Sequence, residues 1–161
     1  MNVSLENIIM LVSALVTLLL LLFAVNWRYF RDVVVVFLFK AVFDLTVGSM
    51  VEKANCIDYP VRLWPQYFDT PVLFEVWTFP VLCVLYNQIT RERGFGPILY
   101  YAVLFSAGIA AIEYPIMIYT ELIKYNHWTW FLNFWALFAT FLASRAFMAF
   151  FRWGCNHFRP Y

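Results

Sequence analysis

Lys40, Asp44, Glu75, Glu113 and Arg145 are ionisable residues set inside long apolar stretches of a 161-residue chain. A charge at the centre of a membrane helix costs about 2.5–3.5 kcal/mol on insertion scales. Five such costs are hard to account for unless the groups meet one another or reach water. Lys40 and Asp44 stand four residues apart, which places them side by side on one helix face. By depth along their segments, Lys40 lies near the middle and Asp44 one turn further out. Glu75 lies about a turn inside the outer end, Glu113 in the outer half, and Arg145 in the inner half within reach of mid-depth. Arg145 is expected to take Glu113 or Asp44 as an acidic partner across the bundle. Three kinds of chemistry are open to this cluster. It can pair charges to fix helix register, hold the polar part of a small or amphipathic ligand, or take up and release a proton or cation at Asp44, Glu75 or Glu113.

The elements that must carry these residues are membrane helices. Hydrophobic residues make up 64% of the chain and charged residues 13%, against roughly 45–50% and 25% in soluble domains. The mean hydropathy is +0.73. A soluble fold this small buries only about 70% of its unfolded surface, too little to hide so much apolar area. A net charge of +1 gives no bulk attraction to nucleic acid. A bilayer core about 30 Å thick needs roughly 20 helical residues. The segments that satisfy this lie at about 7–27, 33–51, 71–90, 97–120 and 129–152, with an outer interfacial loop at 52–70. The run LLLLLF at 18–23 lacks the alternation of a barrel strand. The expected fold is therefore an all-α membrane protein, a five-helix transmembrane bundle forming one domain over 1–161.

Orientation is read from lysine and arginine. Arg28, Arg31, Arg91, Arg93, Arg152 and Arg159 fall on one set of alternating segments, and Lys53, Arg62 and Lys124 on the other. This bias places the N-terminus outside and the C-terminus in the cytoplasm. The N-terminal MNVSLEN has no basic region or clean cleavage site, so the first span is expected to stay. The inner connections NWRYFRD and ITRERGFG set arginines beside aromatic rings, a pattern that suits anchoring at headgroup level. Outer residues 56–71, CIDYPVRLWPQYFDTP, hold Pro60, Pro65 and Pro71, which forbid one continuous helix. This segment and TELIKYNHWTW at 120–130 are dense in aromatic residues, forming either an aromatic belt or a lid over the bundle. Tyr59, Arg62, Lys124, Trp128 and Trp130 are the loop residues placed to meet a ligand there.

No GxSxG, HExxH, Walker or GxGxxG motif occurs, so no enzymatic activity and no cofactor is expected, a lipid-acting enzyme without a visible nucleophile being left open. His127 has no nearby His or Cys to share a metal with. Cys56, Cys83 and Cys155 fall at different depths, and Cys83 reads as a small core residue. Pro80 and Pro115 remove the bonds to the carbonyls of Val76 and Ala111, which then need other donors. The small run SAGIAA at 106–111 and the stripe Ala136, Ala139 or Thr140, Ala143 and Ala146 predict close packing of the last two spans.

Several strings resemble a family of small multi-pass membrane proteins of unassigned function from spore-forming Gram-positive bacteria. They are FLFKAVFDLTVG at 37–48, DYPVRLWPQYF at 58–68, FPVLCVLYNQIT at 79–90, IEYPIMIYTELIKYNHWTW at 112–130 and SRAF at 144–147. The resemblance implies a multi-pass helical protein of a bacterial plasma membrane and supplies no activity. A fainter likeness is to the tryptophan-rich sensory proteins, which also have five spans: WTFPVLCVLY is similar to their aromatic-proline helix, and the rest of their pattern is absent. The functional expectation is a non-enzymatic binder of a small or amphipathic ligand through the outer polar cluster. A proton- or cation-coupled transporter and an assembly subunit of a membrane complex are the alternatives. The lipid bilayer is the one partner composition requires, and the oligomeric state is left open.

Overall fold

No charge interrupts the chain between Glu6 and Arg28. In the computed structural model, which describes residues 5–61 and 71–158, this stretch winds as α1, Leu5–Leu19, and ends in a π turn, Leu20–Ala24. A 3₁₀ turn at Trp27–Tyr29, capped by the Asn26 side chain on Arg28 N, leads into α2, Phe30–Lys53. α2 stops in a Schellman motif: Cys56 N donates to Val51 O and Asn55 N to Glu52 O. Asn55 takes the required left-handed conformation, with φ 53°. Asparagine tolerates that region better than most side chains.

α3, Phe79–Ile89, is preceded by a π turn over Phe74–Thr78. Pro80 explains the widening. It has no N–H, and its ring crowds the carbonyl four residues back, so bonding shifts outward and Phe79 N reaches Phe74 O, five residues back. α4 covers Phe95–Tyr119 with Pro115 inside it, and α5 covers Trp130–His157. Thr129 caps α5 by accepting from Leu132 N at 3.2 Å. Among the described residues, four helices are long and apolar enough to cross a membrane: Leu5–Ala24, Trp27–Lys53, Phe95–Tyr119 and Trp130–His157. The stretch 71–90, read from sequence as a further span, is helical but divided between the π turn and the short α3.

One feature departs from an all-helical reading. β1, Ile57–Asp58, pairs antiparallel with β2, Lys124–Tyr125, in the register Ile57 to Tyr125 and Asp58 to Lys124. Asn126 donates from Nδ2 to Asp58 Oδ2 at 2.7 Å and from its backbone N to Cys56 O at 3.0 Å. These bonds draw the two aromatic-rich connections together across one end of the bundle.

The core lies among α2–α5, where Val36, Cys83, Val84, Tyr86, Phe141 and Met148 are almost fully buried. Tyr86, Phe105 and Phe141 meet edge to face, their centroids 5.1–6.0 Å apart. α4 and α5 share the most extensive helix–helix contact. The buried residues of α4 are Ala102, Ser106, Ile109 and Ala110. The buried side of α5 is Leu137, Phe141, Ser144 and Met148, while Ala139 and Ala146 of the expected small stripe are exposed. At mid-helix, Asn87 Nδ2 and the Cys83 thiol both donate to Ser144 Oγ at 3.0 Å, a polar staple between α3 and α5. α1 is peripheral and buries only Met10 and Thr17.

Candidate functional site

Lys40 is 2% exposed, so its ammonium needs partners. Its Nζ meets Asp44 Oδ1 at 2.6 Å and donates to Thr140 Oγ1 of α5 at 3.0 Å. The i, i+4 spacing makes the first contact within α2, and the second ties α2 to α5. Asp44 keeps one oxygen unspent. Among the described residues no donor reaches its buried Oδ2.

This pair lines a cavity of about 120 Å³ beneath the strand pair, together with Glu75, Tyr59, Trp128 and Asn133. Glu75, 5% exposed, comes from the π turn and lies against Gly48 of α2, where a Cβ would run into its carboxylate. Glycine here is a matter of space. Alanine in place of an interior helical glycine ordinarily stabilises by roughly 0.5–1 kcal/mol. Gly108→Ala, with open space around it, is expected to hold or raise the melting temperature. Gly48→Ala is expected to lower it, because the Glu75 carboxylate must leave its place. Equal melting of the two variants would show that Glu75 moves aside freely.

Tyr59 follows β1, and Trp128 follows β2. Burial, reinforced by the Glu75 and Glu113 carboxylates, pushes the Tyr59 phenol well above its ordinary range, so it enters the cavity as a neutral group. Tyr125 in β2 is raised in the same way, by burial and then by Glu113. The indole Nε1 of Trp128 is buried with no acceptor among the described residues. Two residues of the cavity wall thus each keep a buried polar atom without a partner among the described residues, the acceptor Asp44 Oδ2 and the donor Trp128 Nε1. Buried groups of this kind ordinarily find a partner.

Glu113 stands next to the cavity. Asn133 Nδ2 donates to its Oε2 at 2.5 Å, and Asn133 is itself a cavity wall. Glu113 lines instead a neighbouring crevice of about 380 Å³ between α1 and α4, whose walls include Val12, Val16, Leu82, Ile109 and Ile112. Phe79 lines both spaces. The crevice exists because α1 packs chiefly on the π turn before α3 rather than on α4.

Other expected site residues lie elsewhere. Arg145 does not pair with Glu113 or Asp44. Its Nη2 donates to the backbone oxygens of Thr90 and Arg91, at 3.2 and 3.0 Å, capping the carbonyl end of α3. The side chain reaches toward the nearer bundle end, where it meets these carbonyls, rather than toward mid-depth. Lys124 pairs with Glu121 on the surface. Trp130 faces α4, its Nε1 donating to Ala110 O at 3.0 Å. Thr78, in the π turn, has a buried hydroxyl with no partner among the described residues. Arg62 lies outside the described residues.

Sequence reading passed over Asn133 and took Thr140 only as a member of the small stripe on the last span. Their signal is a polar spacing on α5, Asn133, Thr140 and Ser144 at i, i+7 and i+11, which keeps hydroxyl and amide groups toward one side of a helix. It also passed over Asp32, which draws Arg152 to 2.9 Å and Arg91 to 3.5 Å at the opposite end of the bundle. An acid one residue after Arg31 was the available sign. Among the described residues, no group of three His, Cys, Asp or Glu side chains is placed to hold a metal ion. No family model, curated protein or solved structure matches the chain.

Proposed function

We propose that this chain is a multi-pass protein of a bacterial plasma membrane that binds an amphipathic molecule. It crosses the bilayer five times, with the strand pair outside and the C-terminus in the cytoplasm. The excess of arginine on one set of connections supports that orientation. The head group of the ligand enters the cavity under the strand pair, and its alkyl tail lies in the α1–α4 crevice. The carrying observation is that two residues of one cavity wall, Asp44 and Trp128, each keep a buried polar atom, Oδ2 and Nε1, without a partner among the described residues. A head group that both donates to a carboxylate and accepts from an indole carries hydroxyls; an ammonium can only donate. The crevice supports the tail because it is apolar, faces α1, and shares Phe79 with the cavity.

The test uses the full chain in phosphatidylcholine nanodiscs, titrated below micelle formation with n-octyl glucoside or n-octylamine. Octyl glucoside is expected to raise the melting temperature and octylamine to have little effect. Trp128→Phe keeps the aromatic wall and loses the donor. It is expected to leave the unliganded melting temperature near wild type and raise the half-maximal glucoside concentration about fivefold, the order of one neutral hydrogen bond. No stabilisation by octyl glucoside, or an unchanged response in Trp128→Phe, overturns the reading.

A further inference from the structure

The bundle end opposite the strand pair gathers positive charge around a second cavity, of about 210 Å³, lined by Arg31, Asp32, Arg91, Arg152, Cys155 and Asn156. Among the described residues, three guanidinium groups and a single carboxylate line it, which gives these side chains a summed charge of about +2. None of the three is loosely held. Arg152 donates from Nε and Nη2 to Asp32 Oδ2, at 3.2 and 2.9 Å. Arg91 lies 3.5 Å over the Tyr29 ring, with its Nη1 3.5 Å from the same Asp32 oxygen. Arg31 lies 5.1 Å from the centre of the Phe151 ring, and its Nη2 donates to Cys155 Sγ at 2.7 Å.

Their hydrogen-bonding capacity is largely unspent. A thiol sulfur is a weak acceptor, so Arg31 has a poor partner for its charge. Arg91 Nη1 is buried with no hydrogen-bond partner among the described residues. Like charges this close repel, and the one carboxylate, Asp32, is already shared between two of them. Asp32 sits in the first turn of α2, Arg91 just beyond α3, and Arg152 near the end of α5. The cavity therefore opens at the level where helices end, which in a bilayer is the headgroup layer.

We propose that this cavity binds a phosphate group, either that of an anionic phospholipid headgroup or a soluble phosphate. Guanidinium forks match phosphate oxygens in geometry and charge, and basic pockets between membrane helices hold anionic headgroups. Tyr29 and Phe151 hold two of the forks in place, so binding orders little that is not already ordered. The site is independent of the one beneath the strand pair, which shares none of its residues.

The full chain is melted in nanodiscs of phosphatidylcholine alone and of phosphatidylcholine with one third phosphatidylglycerol. In a separate arm it is titrated in detergent with inorganic phosphate against chloride at matched ionic strength. A rise of several degrees with phosphatidylglycerol only identifies a lipid headgroup site; a rise with inorganic phosphate as well identifies a site for phosphate from either source. Arg31→Gln, at an exposed position, is expected to keep the fold and to raise the half-maximal phosphate or phosphatidylglycerol content about tenfold, the order of one charge-assisted hydrogen bond. Arg28→Gln, outside the cavity, is the control and should respond as wild type. No rise in either arm, or an Arg31→Gln response equal to that of wild type, overturns the proposal.

Discussion

Lys40→Ala is expected to destabilise the protein by about 3–5 kcal/mol, the cost of leaving a buried charge without its partner. Asp44 would lose the ammonium that sits 2.6 Å from its Oδ1, while its other oxygen already lacks a donor among the described residues. Thr140 would suffer little, because its hydroxyl also donates to Leu137 O at 2.9 Å. The double variant Lys40→Met with Asp44→Leu removes both charges and is expected to recover most of the lost stability, as replacing whole buried pairs with apolar residues often does. Unfolding of the three proteins in mixed detergent micelles, titrated with dodecyl sulfate, measures both effects. A single variant as stable as wild type would mean that water reaches Asp44 freely.

Arg145→Ala is expected to cost about 2–3 kcal/mol, since it removes charge-assisted bonds to two backbone oxygens at the end of α3. Arg145→Lys keeps the charge near the negative end of the helix but has no planar fork to span both carbonyls. It is expected to fall between alanine and wild type. The same unfolding titration ranks the variants. If Arg145→Ala matched wild type while a Glu113 or Asp44 variant lost stability only in the presence of Arg145, the arginine would be pairing with an acid after all.

These two residues show where sequence was informative and where it was not. Lys40 and Asp44 are four apart in one segment, so helix geometry alone brings them together. Arg145 had a height along its helix but no direction around it, because spacing does not say which neighbour a helix face meets. Its long side chain could run toward either end, and the orphan carbonyls of α3 belong to an element whose stop at Ile89 sequence places only loosely. The same lack of rotational information put the close contact of α5 on its alanines, whereas the residues it buries are Leu137, Phe141, Ser144 and Met148.

Aromatic and proline content marked the connections around Tyr59 and Trp128 as either an aromatic belt or a lid over the bundle. The pairing of Ile57 with Tyr125 was not legible, since two-residue strands carry no period. Asn133 was missed and Thr140 was read only as a packing residue because a search for charges overlooks neutral groups, although these complete the cavity wall and bond Glu113 and Lys40. Asp32 was missed for a related reason: it stands among arginines at a helix start, where a charge is unremarkable until three helices bring Arg91 and Arg152 to it.

The most direct measurement of whether the cavity beneath the strand pair holds a ligand is native mass spectrometry of the purified full chain beside an Ala136→Trp variant. Ala136 lines that cavity, and an indole there would fill much of its 120 Å³ without removing a charge. Binding in the cavity predicts a wild-type protein that carries a co-purifying hydroxylated amphiphile at about one per chain, and a variant that folds but carries none. The same amphiphile at equal occupancy in both proteins, or none in either, would contradict it.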